Sequence, residues 1–145
     1  MTAKEYLSQA YRLDQRINSK LEQVVVLRSL TRKVTTSYDG EPVSHTRNVS
    51  SLEETIIHLM EAEDDLNKTI DMLVNLKMKI ANCISTVENQ DYQILLEKRY
   101  LCFHSWEQIA IDMKCSVRWV HTLHARALNT VNKYLYAKEK ADESA

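Results

Sequence analysis

The chain has 145 residues, of which 44% are hydrophobic and 27% charged, and its formal net charge is -1. These proportions are ordinary for a folded protein, and the near-neutral charge argues against a nucleic-acid binder that relies on charge alone. A single glycine and a single proline leave few residues for the tight turns that sheets need. An all-α protein of the cytoplasm is therefore predicted, since neither an apolar signal core nor a membrane-spanning stretch is apparent.

The N-terminal part of the chain begins with the pattern of a long helix. A capping box at Thr2 to Glu5 begins this helix, which is predicted to run to about Leu30. Periodicity then stops, so residues 31–50, which contain the only glycine and proline, are predicted to form a loop of about twenty residues. A solvated connector is favoured for this loop, although three of its residues could contact phosphate or a partner: Lys33, His45 and Arg47.

The second helix carries the most regular pattern in the chain. It is predicted to begin at a capping box, Ser51 to Glu54, and to continue to Val87. One set of apolar residues recurs every seven positions: Leu52, Leu59, Leu66, Leu73, Ile80 and Val87. Isoleucines fill alternate d positions of the same heptads: Ile56, Ile70 and Ile84. This repeat predicts a coiled-coil-like antiparallel hairpin over residues 1–88. Because two helices bury only a thin core, the leftover apolar surface favours a homodimer.

The C-terminal part has the spacing of a helix-turn-helix, preceded by a short third helix near Tyr92. A capping box at Ser105 to Gln108 begins the first helix of the pair, and Ser116 is the predicted N-cap of the second. The inward stripe of that second helix is Val120, Leu123, Ala127 and Val131. The predicted DNA-binding residues lie on or beside its other face: Lys114, Ser116, Val117, Arg118, Trp119, His121, Thr122 and Arg126.

These residue types suit the reading of a DNA major groove. Arginine can make bidentate contacts with guanine, and threonine and valine can touch the thymine methyl group. Lys114 and Arg126 are placed where phosphate contacts would fix the register. Residues 90–136 carry six basic and four acidic side chains, against eleven and thirteen in residues 1–89. A lone copy should therefore bind DNA weakly and with a shallow salt dependence, so help from a second copy or from RNA polymerase is expected.

Metal and catalytic interpretations have little support. The three cysteines form no CxxC pair. The acidic run Glu61 to Asp65 lacks the repeated Glu-x-x-His spacing of helical di-iron sites and is predicted to be a solvated face. A set of Cys and His residues near the C-terminus has no zinc-ligand spacing, so packing is favoured: Cys102, His104, Cys115, His121 and His124. Neither a cofactor nor an enzymatic activity is predicted.

The segment from Tyr92 to Leu128 resembles region 4 of bacterial sigma factors. The whole chain is similar to a family of small phage and prophage proteins that carry such a segment behind a long helical part, and to ArpU-type phage late-transcription regulators. The resemblance rests on four segments: Thr2 to Leu7, Pro42 to Asn48, Leu96 to Tyr100, and the second helix of the helix-turn-helix, which begins at Ser116 and is called the reader helix. One departure is that Lys114 occupies a turn position that is usually glycine.

The resemblance implies a phage or prophage transcription regulator that binds double-stranded promoter-proximal DNA, with host RNA polymerase, in the cytoplasm of a bacterial cell. Its predicted parts are the hairpin of residues 1–88, a DNA-binding domain of residues 89–136 and a frayed tail of residues 137–145. Two alternatives stay open: a small-terminase-like protein that recognises phage DNA, and a protein-interaction scaffold that does not touch DNA.

Overall fold

The computed structural model describes the backbone of residues 1–40 and 45–144, and the side chains of residues 1–33 and 50–144. All the regular secondary structure in this part of the chain is helical, which confirms the predicted all-α class. The α-helices are α1 (Ala3–Gly40), α2 (His45–Ser85), α3 (Gln90–Leu96), α4 (Trp106–Asp112) and α5 (Val117–Glu143). A π-helical turn, Glu97–Leu101, directly follows α3. None of these described helices has both the length and the apolar character that crossing a membrane requires.

The first two helices are longer than predicted, so the predicted loop of residues 31–50 is helical on both sides. Helix α1 continues to Gly40 and α2 begins at His45. Extending an existing helix costs far less than starting one, so a stretch rich in Ser and Thr can prolong it. Thr31 shows how such a residue is accommodated, because its hydroxyl donates to the Leu27 carbonyl at 2.9 Å. Residues 41–44, and the side chains of His45 and Arg47, lie outside the described residues.

The capping boxes had different outcomes. At the start of α1 the box is complete, since Glu5 N donates to Thr2 Oγ1 at 3.2 Å and Thr2 N donates to Glu5 Oε2 at 3.1 Å. The box predicted at Ser51 is wrong, because Ser51 lies inside α2 and its carbonyl accepts a hydrogen bond from Thr55 Oγ1. Ser51 has the residue spacing of a cap, but the backbone before it is already helical, so no orphan N–H group needs it.

The chain divides into two compact units, residues 13–72 and residues 1–12 together with 73–145. The latter unit therefore contains the start of α1 and the end of α2 besides the segment predicted as a separate domain, residues 89–136. Ala3 N donates to Asn132 Oδ1 at 2.8 Å and so joins the start of α1 to α5. The core of this unit consists of fully or almost fully buried apolar side chains, among them Leu7, Ile80, Ile84, Leu95, Leu96, Ile109, Val120 and Val131.

In the unit of residues 13–72, few of the described side chains are buried. Among its described side chains, residues 13–33 and 50–72, the buried ones, which belong to its core, are Ile17, Val24, Leu66 and Thr69. Ion pairs join Lys20 to Asp65 and Arg28 to Glu63. The later residue of α1 pairs with the earlier residue of α2, which is the order that an antiparallel pair of helices requires.

The predicted d positions Ile56 and Ile70 are not in this core, since they are 38% and 36% exposed. Thr69 is buried in their place, with its hydroxyl bonded to the Asp65 carbonyl at 2.9 Å. Thr69, three residues after Leu66, lies closer to the centre of the buried stripe than Ile70, which is four residues after Leu66. Of the four leucines in the predicted stripe, Leu66 and Leu73 are buried whereas Leu52 and Leu59 are half-buried. The placement of the two isoleucines in the core was wrong.

The C-terminal tail is helical. Helix α5 extends to Glu143, so most of the segment predicted to fray, residues 137–145, continues the helix instead. Its side chains from Tyr136 to Ser144 are exposed. Alanine, lysine and glutamate are strong helix formers, and they can prolong a helix that packing has already established.

Candidate nucleic-acid interface

The π-helical turn and α5 are joined by a buried polar contact. Tyr100, in the π-helical turn, places its hydroxyl 2.6 Å from Nε2 of His124, and both residues are buried. Burial raises the pKa of Tyr100 to about 12. The pKa of His124 is lowered to about 4 by burial and then by the positive charges of Lys4 and Arg99. A protonated tyrosine therefore meets a neutral histidine, and the pair acts as a packing contact between the turn and α5.

Trp106 is the aromatic residue that holds the start of α4 against α5. Its ring centroid lies 4.7 Å from that of His121 and 4.6 Å from that of His124. The Arg99 guanidinium covers the ring at 4.2 Å and donates to the His104 carbonyl at 3.0 Å. Cation–π and ring contacts of this kind add to the energy of burial. The orientation of α4 relative to α5 is thus fixed by packed side chains.

The start of α4 is capped by Ser105, whose hydroxyl accepts a hydrogen bond from Gln108 N at 3.2 Å. The predicted capping box is only half formed, because the Gln108 side chain donates to Asp112 Oδ1 instead. Asp112 also faces Lys98 at 3.3 Å, and its pKa is lowered by the hydrogen bonds from Gln108 and Lys98. Gln108 therefore helps to attach α4 to the π-helical turn.

Between α4 and α5 the backbone turns sharply at Lys114, whose φ is 55°. Lys114 N donates to the Ile111 carbonyl at 3.2 Å and Cys115 N donates to the Ala110 carbonyl at 3.0 Å. This pair of bonds is the Schellman motif, in which a left-handed residue ends a helix. Lys114, which stands where such turns usually have glycine, therefore adopts the left-handed conformation that glycine usually takes.

Helix α5 begins where the sequence predicted. Ser116 is its N-cap and accepts a hydrogen bond from Trp119 N at 3.1 Å. The predicted inward stripe is buried in full: Val120, Leu123, Ala127 and Val131. Because one face of α5 is fixed against the core, the residues on the opposite face have defined positions at the surface.

The eight predicted DNA-binding residues lie together at the turn and on the first three turns of α5. Six of them are exposed, whereas Val117 and Thr122 are half-buried. Arg118 and Lys114 form no ion pair with any side chain in the described part of the chain, so their charges are directed to solvent. Asn129 is exposed on the same face as Arg118, although it was not among the predicted DNA-binding residues.

The remaining predicted readers already have contacts within the protein. Arg126 covers the Trp119 ring at 5.4 Å, and the His121 ring packs on Trp106. The Ser116 hydroxyl serves as the cap, and the Thr122 hydroxyl donates to the Arg118 carbonyl at 3.2 Å. These contacts leave Arg118 as the side chain on this face best able to reach a base edge.

The acidic run on α2 is occupied by basic partners. Glu63 pairs with Arg28, Asp65 with Lys20, and Asp64 with Lys68 at 2.9 Å. Among the residues that the structure describes, no three His, Cys, Asp or Glu side chains are grouped so that they could hold a metal ion. Surface pairs of this kind contribute little stability, so the run is a charged, solvated face of α2.

Comparisons with known proteins found no match to the chain among family models, curated proteins or solved structures.

Proposed function

We propose that the chain is a phage or prophage transcription regulator that places the start of α5 in the major groove of promoter-proximal DNA, together with host RNA polymerase. The observation that carries the proposal is the exposed, unpaired Arg118 on a helix whose other face is fixed against the core. The capped, left-handed turn at Lys114 and the packing of Trp106 support it, because a reader helix must be held rigidly by the helix before it. The similarity of residues 92–128 to sigma region 4 adds the regulatory role.

The individual roles follow from the contacts. Arg118 reads a guanine, since its guanidinium has no partner inside the described structure and arginine matches the two acceptors of guanine. Lys114 contacts a phosphate from the turn. Arg126 lies over Trp119, so it approaches the backbone as a stacked pair rather than as a free side chain. Val117 and Thr122 supply methyl groups beside Arg118.

Selection from a library of random duplexes tests this proposal in solution. The purified protein should enrich a short motif containing a guanine, and Arg118→Ala should weaken binding to that motif by about 1 to 3 kcal/mol and relax the preference at one position. Lys133→Ala is the matched control, because Lys133 is an exposed cation further along the same helix. Equal losses in both variants would indicate nonspecific attraction and would remove Arg118 from the readers.

A second copy of the chain is the proposed partner of residues 13–72. Exposed residues on one side of α2 repeat at coiled-coil spacing: Ile56, Met60, Asn67 and Ile70. An asparagine within such a stripe is the residue type that can pair with its own counterpart and set the register of a dimer. Two copies would also double the number of basic groups that meet DNA, which strengthens the attraction to its phosphates.

A scaffold that binds only proteins is the second candidate function, and the near-neutral charge favours it. In that case the duplex selection would enrich no motif, and a variant with alanine at positions 114, 118 and 126 would keep full activity in the cell. Loss of regulation in that variant, with the fold intact, would exclude the scaffold.

A further inference from the structure

A cavity of about 390 Å³ opens beside the first turns of α1, and all of its walls belong to the unit of residues 1–12 and 73–145. Helix α1 contributes Lys4, Ser8 and Tyr11, and the segment from the π-helical turn to the start of α4 contributes Arg99, Phe103 and Trp106. Its volume lies at the lower end of the range of roughly 300 to 1,000 Å³ that is usual for small-molecule sites. A wall of aromatic rings with a few polar groups is also typical of such sites.

The charged groups of this cavity are all positive. Lys4 and Arg99 are on its wall, whereas no aspartate or glutamate is. Neither cation forms an ion pair with another described residue, and the only hydrogen bond shown for Arg99 goes to the carbonyl of His104. The pKa of His124 is lowered mainly by burial, and the positive charges of Lys4 and Arg99 lower it further. Two uncompensated cations on one concave surface attract an anion.

The aromatic wall is held in place by a left-handed backbone. Phe103 has a φ of 58°, which a bulky residue adopts only at some cost. This conformation sets its ring 5.6 Å from that of Tyr11 at an angle of 65°, while Lys77 lies over the Phe103 ring at 4.6 Å. Tyr11 remains 49% exposed, so it offers a ring surface on which a planar group can stack.

From these features we infer that the cavity binds a mononucleotide. The phosphate lies against Lys4 and Arg99, and the Ser8 hydroxyl is a further donor. The base stacks on Tyr11. Such stacking accepts any base, because every base has a flat π-face. The inference does not rest on DNA reading by α5, since none of the three residues from α1 belongs to the predicted reader set.

Fluorescence of Trp106 gives a direct readout of binding. A Trp119→Phe background makes Trp106 the only tryptophan, because the chain has two. The full-length protein is titrated with the four ribonucleoside 5′-monophosphates, and with adenosine and inorganic phosphate as half-ligands, and each titration is repeated by calorimetry. At least one monophosphate should bind with a Kd below about 1 mM and about tenfold more tightly than either half-ligand.

Two variants test the two halves of the site. Lys4→Met removes a charge and Tyr11→Leu removes the stacking surface, and each should weaken binding by about tenfold. Both residues are exposed, so both variants should fold, which circular dichroism will check. Lys133→Met, the loss of an exposed lysine on α5, should leave binding unchanged.

Three results would overturn the inference. They are no binding of any monophosphate at about 5 mM, binding of inorganic phosphate as tight as that of the monophosphates, and an equal effect of Lys4→Met and Lys133→Met.

Discussion

His124 is a neutral histidine at physiological pH, because burial of its ring, and then the nearby positive charges of Lys4 and Arg99, lower its pKa to about 4. The ring is bonded to Tyr100. In the unfolded chain a histidine takes up its proton near pH 6.5. The unfolded state therefore binds more protons between about pH 6.5 and about pH 4, and folding stability falls as the pH is lowered through that window. Below about pH 4 both states are protonated and this contribution has been lost.

The expected loss from His124 across that window is roughly 3 to 4 kcal/mol, because one unit of pKa corresponds to about 1.4 kcal/mol and the pKa falls from 6.5 to about 4. Urea unfolding followed by circular dichroism at half-unit pH steps measures it. His124→Gln keeps a hydrogen-bonding side chain beside Tyr100 but does not titrate, so its stability should be flatter with pH. His58→Gln is the control, since His58 is exposed; a flattened profile there instead would contradict this account of His124.

At the scale of the elements, the turn between α4 and α5 stores a small amount of backbone strain. Lys114 has a φ of 55°, a conformation that costs a non-glycine residue about 1 kcal/mol. Lys114→Gly should therefore raise the free energy of unfolding by roughly 0.5 to 1 kcal/mol, while Lys114→Ala should give no such gain. If glycine destabilises the protein, the lysine side chain contributes a contact that outweighs the strain.

Two serines that were each predicted to begin a helix differ in their role, and substitution distinguishes them. Ser116→Ala should cost about 1 kcal/mol, because its hydroxyl caps α5 through Trp119 N. Ser51→Ala should change stability by less than about 0.5 kcal/mol, since Ser51 lies inside α2 and caps nothing. Thermal or urea unfolding of the two variants measures the difference, and a larger effect at Ser51 would restore the predicted helix start there.

These two serines also show which parts of the fold could be predicted from sequence. The start of α5, its buried stripe and the all-α class depend on local spacing, which the sequence displays directly. The extension of α1 and α2 depends on helix propagation, which overrides weak local signals. The exposure of Ile56 depends on tertiary packing.

The candidate interface was predictable to a similar degree. The exposed row of α5 and the contact of Arg126 with Trp119, seven residues before it on the same helix, are local to α5. The packing of His121 on Trp106 of α4 requires the tertiary structure. The cavity beside α1 was not predicted, because Lys4 and Arg99 are far apart in sequence and only the docking of α1 brings them together.

At the scale of the whole molecule, the exposed stripe on α2 predicts self-association. Met60→Lys with Ile70→Lys should shift the protein from dimer to monomer, because buried lysines would repel across the interface. Met72→Lys is the matched control, as Met72 is exposed on the other side of α2. Sedimentation equilibrium measures the masses. A monomer in the unsubstituted protein would remove the dimer proposal, and a ring-sized oligomer would favour the small-terminase-like alternative.

The most direct test of DNA reading by α5 is sequencing of the DNA that crosslinks to the tagged protein in a bacterium that carries the gene. The unsubstituted protein should give sharp peaks upstream of an operon, and Arg118→Ala should abolish them, whereas Lys133→Ala should not. Absence of peaks, or peaks that persist with alanine at position 118, would contradict the claim that this face of α5 reads DNA.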